Sequence, residues 1–342
     1  MTRVSNGRIA MTLLAMATGL ATPASFGITI GGGGDAREVD LAATYDLAAA
    51  PATTAPTYIV ARGTPKNVAK VAIVSFCVGI VDARSVGGSS GPYSASASSP
   101  FPGTLDPQRL GEVANGYREQ LVADLRAAGI EVLEHEDLAA RPTYQKLAAK
   151  MTTDGFETVD SYELGKGTWA NNRVQVISPG ARPALKDCRK LTPGTQMSFA
   201  KAMYEKDMDG ITMLSANVTL DFAKAKAAGG FFRGAKADLE YGQYVAPGID
   251  STSFQFAGKS GGGTLWLKQA IVAAQNPFAE GGKGEKTTDV KMDNEYDPDS
   301  SSTRTTSQST AVSADMDLWY SNAAGELKAL SGMLAETLKA SK

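Results

Sequence analysis

The chain has 342 residues, 43% of them hydrophobic and 20% charged, which is enough apolar sequence for a large core and too much for a disordered chain. Thirty-four basic residues against thirty-six acidic ones leave a net charge of −2, so a nucleic-acid partner, which calls for a strongly basic surface, is not expected. With one histidine and two cysteines, a structural zinc site would need both thiols, the imidazole and a carboxylate together, and no metal or other cofactor is expected.

Residues 1–27 read as a signal peptide. Arg3 and Arg8 supply positive charge without an acid, an apolar run from Ile9 to Ala21 follows, and small residues at Gly19/Ala21 or Ser25/Gly27 suit a cleavage site. The run is too short for a bilayer core, which takes roughly 20 helical residues. No cysteine follows it to carry a lipid anchor, and no later stretch is apolar for long enough to predict a transmembrane helix. Removal of both arginines takes the net charge from −2 to −4. The mature protein is therefore expected to be exported, to the periplasm or beyond. Export permits a disulfide. Cys77, in an apolar strand, and Cys188, in a polar loop, are the candidate pair, with two unpaired thiols as the alternative.

Residues 28–66 read as a flexible linker, opening with Gly31–Gly34 and passing through the Ala/Thr/Pro-rich stretch Ala48–Pro56. Residues 67–342 read as a single α/β domain. Val71–Val81 is apolar on both faces, as an interior strand is. Asp106-Pro107 then starts a helix whose stripe is Leu110, Val113, Ala114, Tyr117, Leu121, Leu125 and Ala128. Gly129 ends that helix, Ile130–Leu133 is a second strand parallel to the first, and another helix covers Leu138–Met151. Met197–Lys206 is helical. Strands at Gly210–Phe222, Ala235–Val245, Thr252–Phe256 and Thr264–Ala274 form an antiparallel meander, and a final helix spans Ala314–Lys339. The predicted architecture is a mixed sheet with a βαβ start, an antiparallel meander and covering helices. Long polar loops are placed at 84–105, 152–195 and 276–312, where glycine, serine and proline crowd the sequence.

Motifs for catalysis are weak. Gly87-Gly88-Ser89-Ser90-Gly91 matches the G-x-S-x-G nucleophile elbow, but no helix follows it, and the base would have to be His135 with an acid such as Asp124 behind it. Asp293, Glu295, Asp297 and Asp299 alternate as calcium ligands do, yet Pro298 and Arg304 stand where an EF-hand needs glycine and glutamate. Gly258-Lys259-Ser260 lacks the first glycine of a phosphate loop. Catalytic and metal residues are therefore not assigned, and a non-enzyme is favoured. Tyr93, Phe101, Tyr162 and Trp169 lie in or beside the long loops and are candidate aromatic anchors for a protein partner.

The strand Lys70–Val81, the helix Gln108–Ala128 leading into Gly129-Ile130-Glu131-Val132-Leu133, and Asp209-Gly210-Ile211 before a later strand resemble the CsgG/TolB-amino-terminal-like fold. The resemblance covers Val68–Leu138 and, more loosely, Met197–Leu220. It implies an exported bacterial envelope protein with no catalytic residues, working through protein–protein contacts in secretion or surface-structure assembly, and it leaves room for a homo-oligomer. Unlike the channel-forming members, this chain has no lipidated cysteine and no clear pair of membrane-spanning strands. A periplasmic module binding a small ligand or calcium is the alternative function, and a secreted serine hydrolase built on Ser89 and His135 is another.

Overall fold

Two long strands organise the molecule. The structure, a computed structural model, describes residues 39–63, 65–90, 93–165, 168–179, 182–230, 234–259, 261–281, 286–292 and 306–341. The expected signal segment 1–27, the start of the expected linker and the acidic run 293–299 lie outside them. In chain order the elements are α1 (Pro51–Tyr58), β1 (Ile59–Arg62), β2 (Lys70–Ser90), β3 (Tyr93–Pro100), α2 (Pro107–Ala127), β4 (Glu131–Leu133), α3 (His135–Leu138) and α4 (Pro142–Ala148). Next come β5 (Met151–Thr152), β6 (Phe156–Gly165), β7 (Thr168–Ile177), β8 (Ala184–Leu185), α5 (Pro193–Ala202), β9 (Thr212–Gly230) and β10 (Gly234–Val245). The last are β11 (Ser253–Ala257), β12 (Gly263–Leu267), β13 (Ile271–Val272), β14 (Phe278–Glu280), β15 (Lys286–Met292), β16 (Thr306–Thr310), β17 (Val312–Ala314) and α6 (Met316–Lys339). The class is mixed α/β, with thirteen of the described strands joined in one open mixed sheet.

The expected βαβ unit is present. Asp106 caps α2 by accepting from the Gln108 amide at 2.8 Å, Pro107 sits at the first helical position, and Gly129 takes a φ of +76°. The chain then returns as β4, parallel to β2, with Val132 opposite Val71. Successive residues of β2 serve opposite faces: Phe76 meets Tyr117 of α2, with ring centroids 5.2 Å apart, while Cys77 turns to Cys188. α6 lies beside α2 and α1 and buries Trp319, Ala323, Leu327, Leu330, Leu334 and Leu338, a stripe at three- and four-residue spacing.

All three expected loops contain strands. β2 does not end at Val81 but runs 21 residues to Ser90, roughly 70 Å at about 3.3 Å per residue, and turns back as β3. Within 84–105 the composition of a loop hides a period of two: Ala95 and Ala97 are buried while Ser96 and Ser98 are exposed. Within 152–195, β6 and β7 pair as a hairpin, and β7 alternates buried and outward residues from Thr168 to Val176. Within 276–312, β15 pairs with β3 and β16, and β14 pairs with β17. The meander is corrected as well. β10 and β11 both pair with β9, β10 along its far half and β11 along its near half, because β9 is long enough to hold both.

The linker too is only partly a linker. From Val39 onward it packs on the body: Tyr45 is buried and donates its amide to Val272, α1 lies on α6, and β1 pairs with β12. A few well-placed apolar side chains (Tyr45, Ala55, Ile59) suffice to dock a stretch whose average composition reads as tether.

One buried group on α6 has a measurable consequence. Glu326 is 1% exposed, and neither carboxylate oxygen has a hydrogen-bond partner among the described residues. Burial pushes its carboxyl well above the usual carboxylate range, with Gln243 opposing weakly. A carboxyl whose folded value is raised leaves stability intact below the unfolded value and removes it as pH rises through the folded one. Glu326→Gln is therefore expected to melt above the wild type at about pH 7 and to converge with it near about pH 4. Thermal melts across that range check this, and equal pH dependence of the two proteins would contradict it.

Candidate functional site

The site forms where the two long strands part. As far as Ile80, β2 runs parallel to β9, with Ile80 opposite Leu220. At Asp82 the pairing with β7 shifts register, and from Ala83 onward β3 takes the edge of β2 that β9 has left. Asp82 holds this switch point. Its carboxylate accepts from Arg173 Nε and Gln175 Nε2, each at 2.8 Å, and its carbonyl accepts from the Phe101 amide at 2.7 Å. Beyond it the strands form an arm of two layers. One is the antiparallel series β6-β7-β2-β3-β15-β16, and the other is the far half of the β9–β10 hairpin. Val86, Ala95, Ala97, Ala170, Ala237 and Leu239 make a small apolar core between them.

Charged side chains are buried at the base of the arm. Arg84 pairs with Asp221, donates Nε to Asn172 Oδ1 at 2.9 Å and Nη1 to the Tyr244 hydroxyl at 3.2 Å, and Tyr244 donates onward to the Ala223 carbonyl at 2.9 Å. Burial works against the Arg84 charge, but Asp221 and Tyr244 more than offset it and hold the guanidinium above its ordinary value. Arg189 pairs with Asp160 and reaches Thr158 and Thr219, each at 3.4 Å. For Arg189 burial prevails over the attraction of Asp160, and its value is lowered. Its guanidinium passes over Gly79, where a Cβ would lie 3.4 Å from Nε and 3.0 Å from a Val174 methyl, so the glycine leaves the passage open.

Arg189 reaches this position through the Cys77–Cys188 disulfide, whose Cα atoms are 6.4 Å apart. Both cysteines are buried, and Asn217 Nδ2 donates to the Arg189 carbonyl at 3.1 Å. The bridge thus fixes the polar segment around Cys188 beneath the sheet. A cavity of about 1100 Å³ opens above these pairs, with Arg84, Asp221, Tyr244 and Asn172 in its lining, β6 on one side and β9 on the other.

The four aromatic candidates part company. Tyr162, on β6, lines the cavity, and burial raises its hydroxyl's value. Trp169, on β7, is 46% exposed on the outer face, its six-membered ring occupying the space above Gly87 that a Cβ would fill at 2.4 Å. Tyr93 opens β3, and its side chain lies outside the described residues. Phe101 is not an anchor. It is a core residue ringed by Phe222, Phe278 and Trp319 at 5.4–5.8 Å, because the hydrogen bond that its amide donates to the Asp82 carbonyl turns the chain back into the body.

Ser89 sits in an extended strand exposed to solvent, not on an elbow. His135 lies beyond Leu133, which is opposite Ala72, so roughly 50 Å of strand separates it from Ser89. Its Nδ1 is 2.8 Å from the Tyr144 hydroxyl. The described residues contain no group of histidine, cysteine and acidic side chains placed to hold a metal, and no helix long and apolar enough to cross a membrane.

Comparison with protein-family models, with curated proteins and with solved structures finds no match for this chain. The site therefore rests on its own geometry. Arg84, Asp221 and Arg189 were not singled out by the sequence reading. The signal available for two of them was a charge at a buried position in an otherwise apolar strand, Asp221 between Leu220 and Phe222, and Arg84 two residues before Val86.

Proposed function

We propose that this is a non-enzymatic, exported protein of the bacterial envelope that acts through contacts between protein chains, in secretion or surface-structure assembly. The observation that carries the reading is the arm. Its terminal strands β6 and β16 each pair on one side only among the described residues, and an unpaired strand edge is a template for another chain. The leader-like pattern at residues 1–27, the Cys77–Cys188 bridge, which suits an oxidising compartment, and the resemblance of Val68–Leu138 to CsgG-like envelope proteins support the compartment.

The reading is tested by charging the edge. Val159 is 64% exposed on β6, so Val159→Glu is expected to leave the melting temperature unchanged and to abolish assembly, as charged side chains on natural edge strands do. Assembly that survives the substitution, or a wild type that never assembles, overturns it.

A further inference from the structure

The cavity has walls of an unusual kind. Val159, Asp160, Ser161 and Tyr162 all line it from β6, and Lys224, Ala225, Lys226 and Ala227 all line it from β9. Consecutive residues of a strand point to opposite faces, so a wall to which every residue contributes is the edge of a strand and not its face. The pairings agree. β6 pairs with β7 alone, and from Ala223 onward β9 pairs with β10 alone, among the described residues. The two layers of the arm therefore gape on this side, with two strand edges bordering one cleft.

The charge of the lining is one-sided. Six cations line the cleft against four carboxylates. Arg84 with Asp221, and Lys190 with Asp250 at 3.6 Å, cancel within it, and what remains includes Arg62 and Lys236 around the opening. Small apolar residues (Ala225, Ala227, Ala237) and Leu164 lie between the charges. Main-chain hydrogen-bonding groups along an edge, small apolar pockets and an excess of positive charge are together what an extended acidic peptide requires.

We propose that this cleft is a strand-addition site, in which an extended acidic segment of a partner protein pairs main chain to main chain with the outer edge of β6 and places alternate side chains in the cavity. The proposal rests on the protein-contact reading above and names the partner's chemistry. The pairing closes the open side of the arm over the Arg84–Asp221 pair.

The probes are two labelled ten-residue peptides, one of alternating valine and glutamate and one of alternating valine and lysine, titrated onto the full chain by fluorescence anisotropy. The glutamate peptide is expected to bind about tenfold or more tightly than the lysine peptide and to slow amide exchange across Val159–Leu164. N-methylation of its alternate amides on the pairing side is expected to abolish binding. Equal affinity for the two peptides, no binding by either, or binding that leaves β6 exchange unchanged would overturn the proposal. So would protection of β6 that rises with protein concentration and no peptide present, since a second copy would then hold the edge. Failure here with edge-dependent assembly intact removes the acidic partner and leaves the protein-contact reading standing.

Discussion

Replacing Cys77 and Cys188 together by alanine is expected to lower the stability of the fold by about 4–5 kcal/mol. The bridge closes a loop of 111 positions, and in the chain-entropy model a loop of that length removes this much freedom from the unfolded chain. The loss has a local part as well. Without the bridge, the segment from Ala184 to Leu191 is held by the packing of Ala184, Leu185 and Leu191 in the core and by a few hydrogen bonds to β2 and β9, such as the Leu185 amide to Ser75 Oγ at 3.1 Å and the Arg189 carbonyl to Asn217. Arg189 would then leave its partner Asp160, and the floor of the cleft would open. Denaturant unfolding of the oxidised wild type, the reduced wild type and the double variant measures this. The last two should coincide well below the first. Coincidence of all three would show that the bridge contributes nothing.

The second large effect is expected at Arg84 and Asp221. Both side chains are 3% exposed, so removing one partner leaves a charge without compensation in a dry site, at a cost of about 3–5 kcal/mol. Arg84→Met alone and Asp221→Leu alone should each unfold readily. The double variant should recover much of the loss, because a buried pair replaced by apolar groups of similar volume is often neutral or better. The recovery separates a packing role from an ionic one. If the double variant is as unstable as the sum of the singles, the two side chains are not coupled and the argument from burial fails. The asymmetry also bears on the cleft. Stability held in a complete ion pair leaves the unpaired strand edges, not the floor, as the groups with unmet bonding capacity.

The parts of the fold that could be read in the sequence are those whose signals are local. Asp106-Pro107, the stripe from Leu110 to Ala128 and Gly129 specify a helix with both ends marked, and the apolar runs on either side of it give the parallel strands. The stripe of α6 is equally clear. The arm was not legible for the opposite reason. Its strands are built from alanine, serine, threonine and asparagine, whose composition is that of loops, and its core needs only small residues because the layers pack closely at Val86, Ala95 and Ala97. Partners are also distant in sequence: β3 finds β15 some 190 residues later, with Ser98 opposite Thr287. Phe101 was misread because its setting in a proline- and glycine-rich stretch gave no sign of the bond to Asp82 that draws it inward. Arg189 was hidden in a polar segment whose burial depends on a disulfide to a strand 111 positions away.

We propose that the protein works by contact between chains through the edges of its arm. The native size of the wild type and of Val159→Glu tests this, with both drawn from soluble-periplasm and membrane fractions of the protein's own host and run side by side on a sizing column. A large, envelope-associated wild-type assembly is expected, together with a variant that elutes at the mass of a single chain. A wild type recovered from the soluble fraction as a single chain, indistinguishable from the variant, would contradict it.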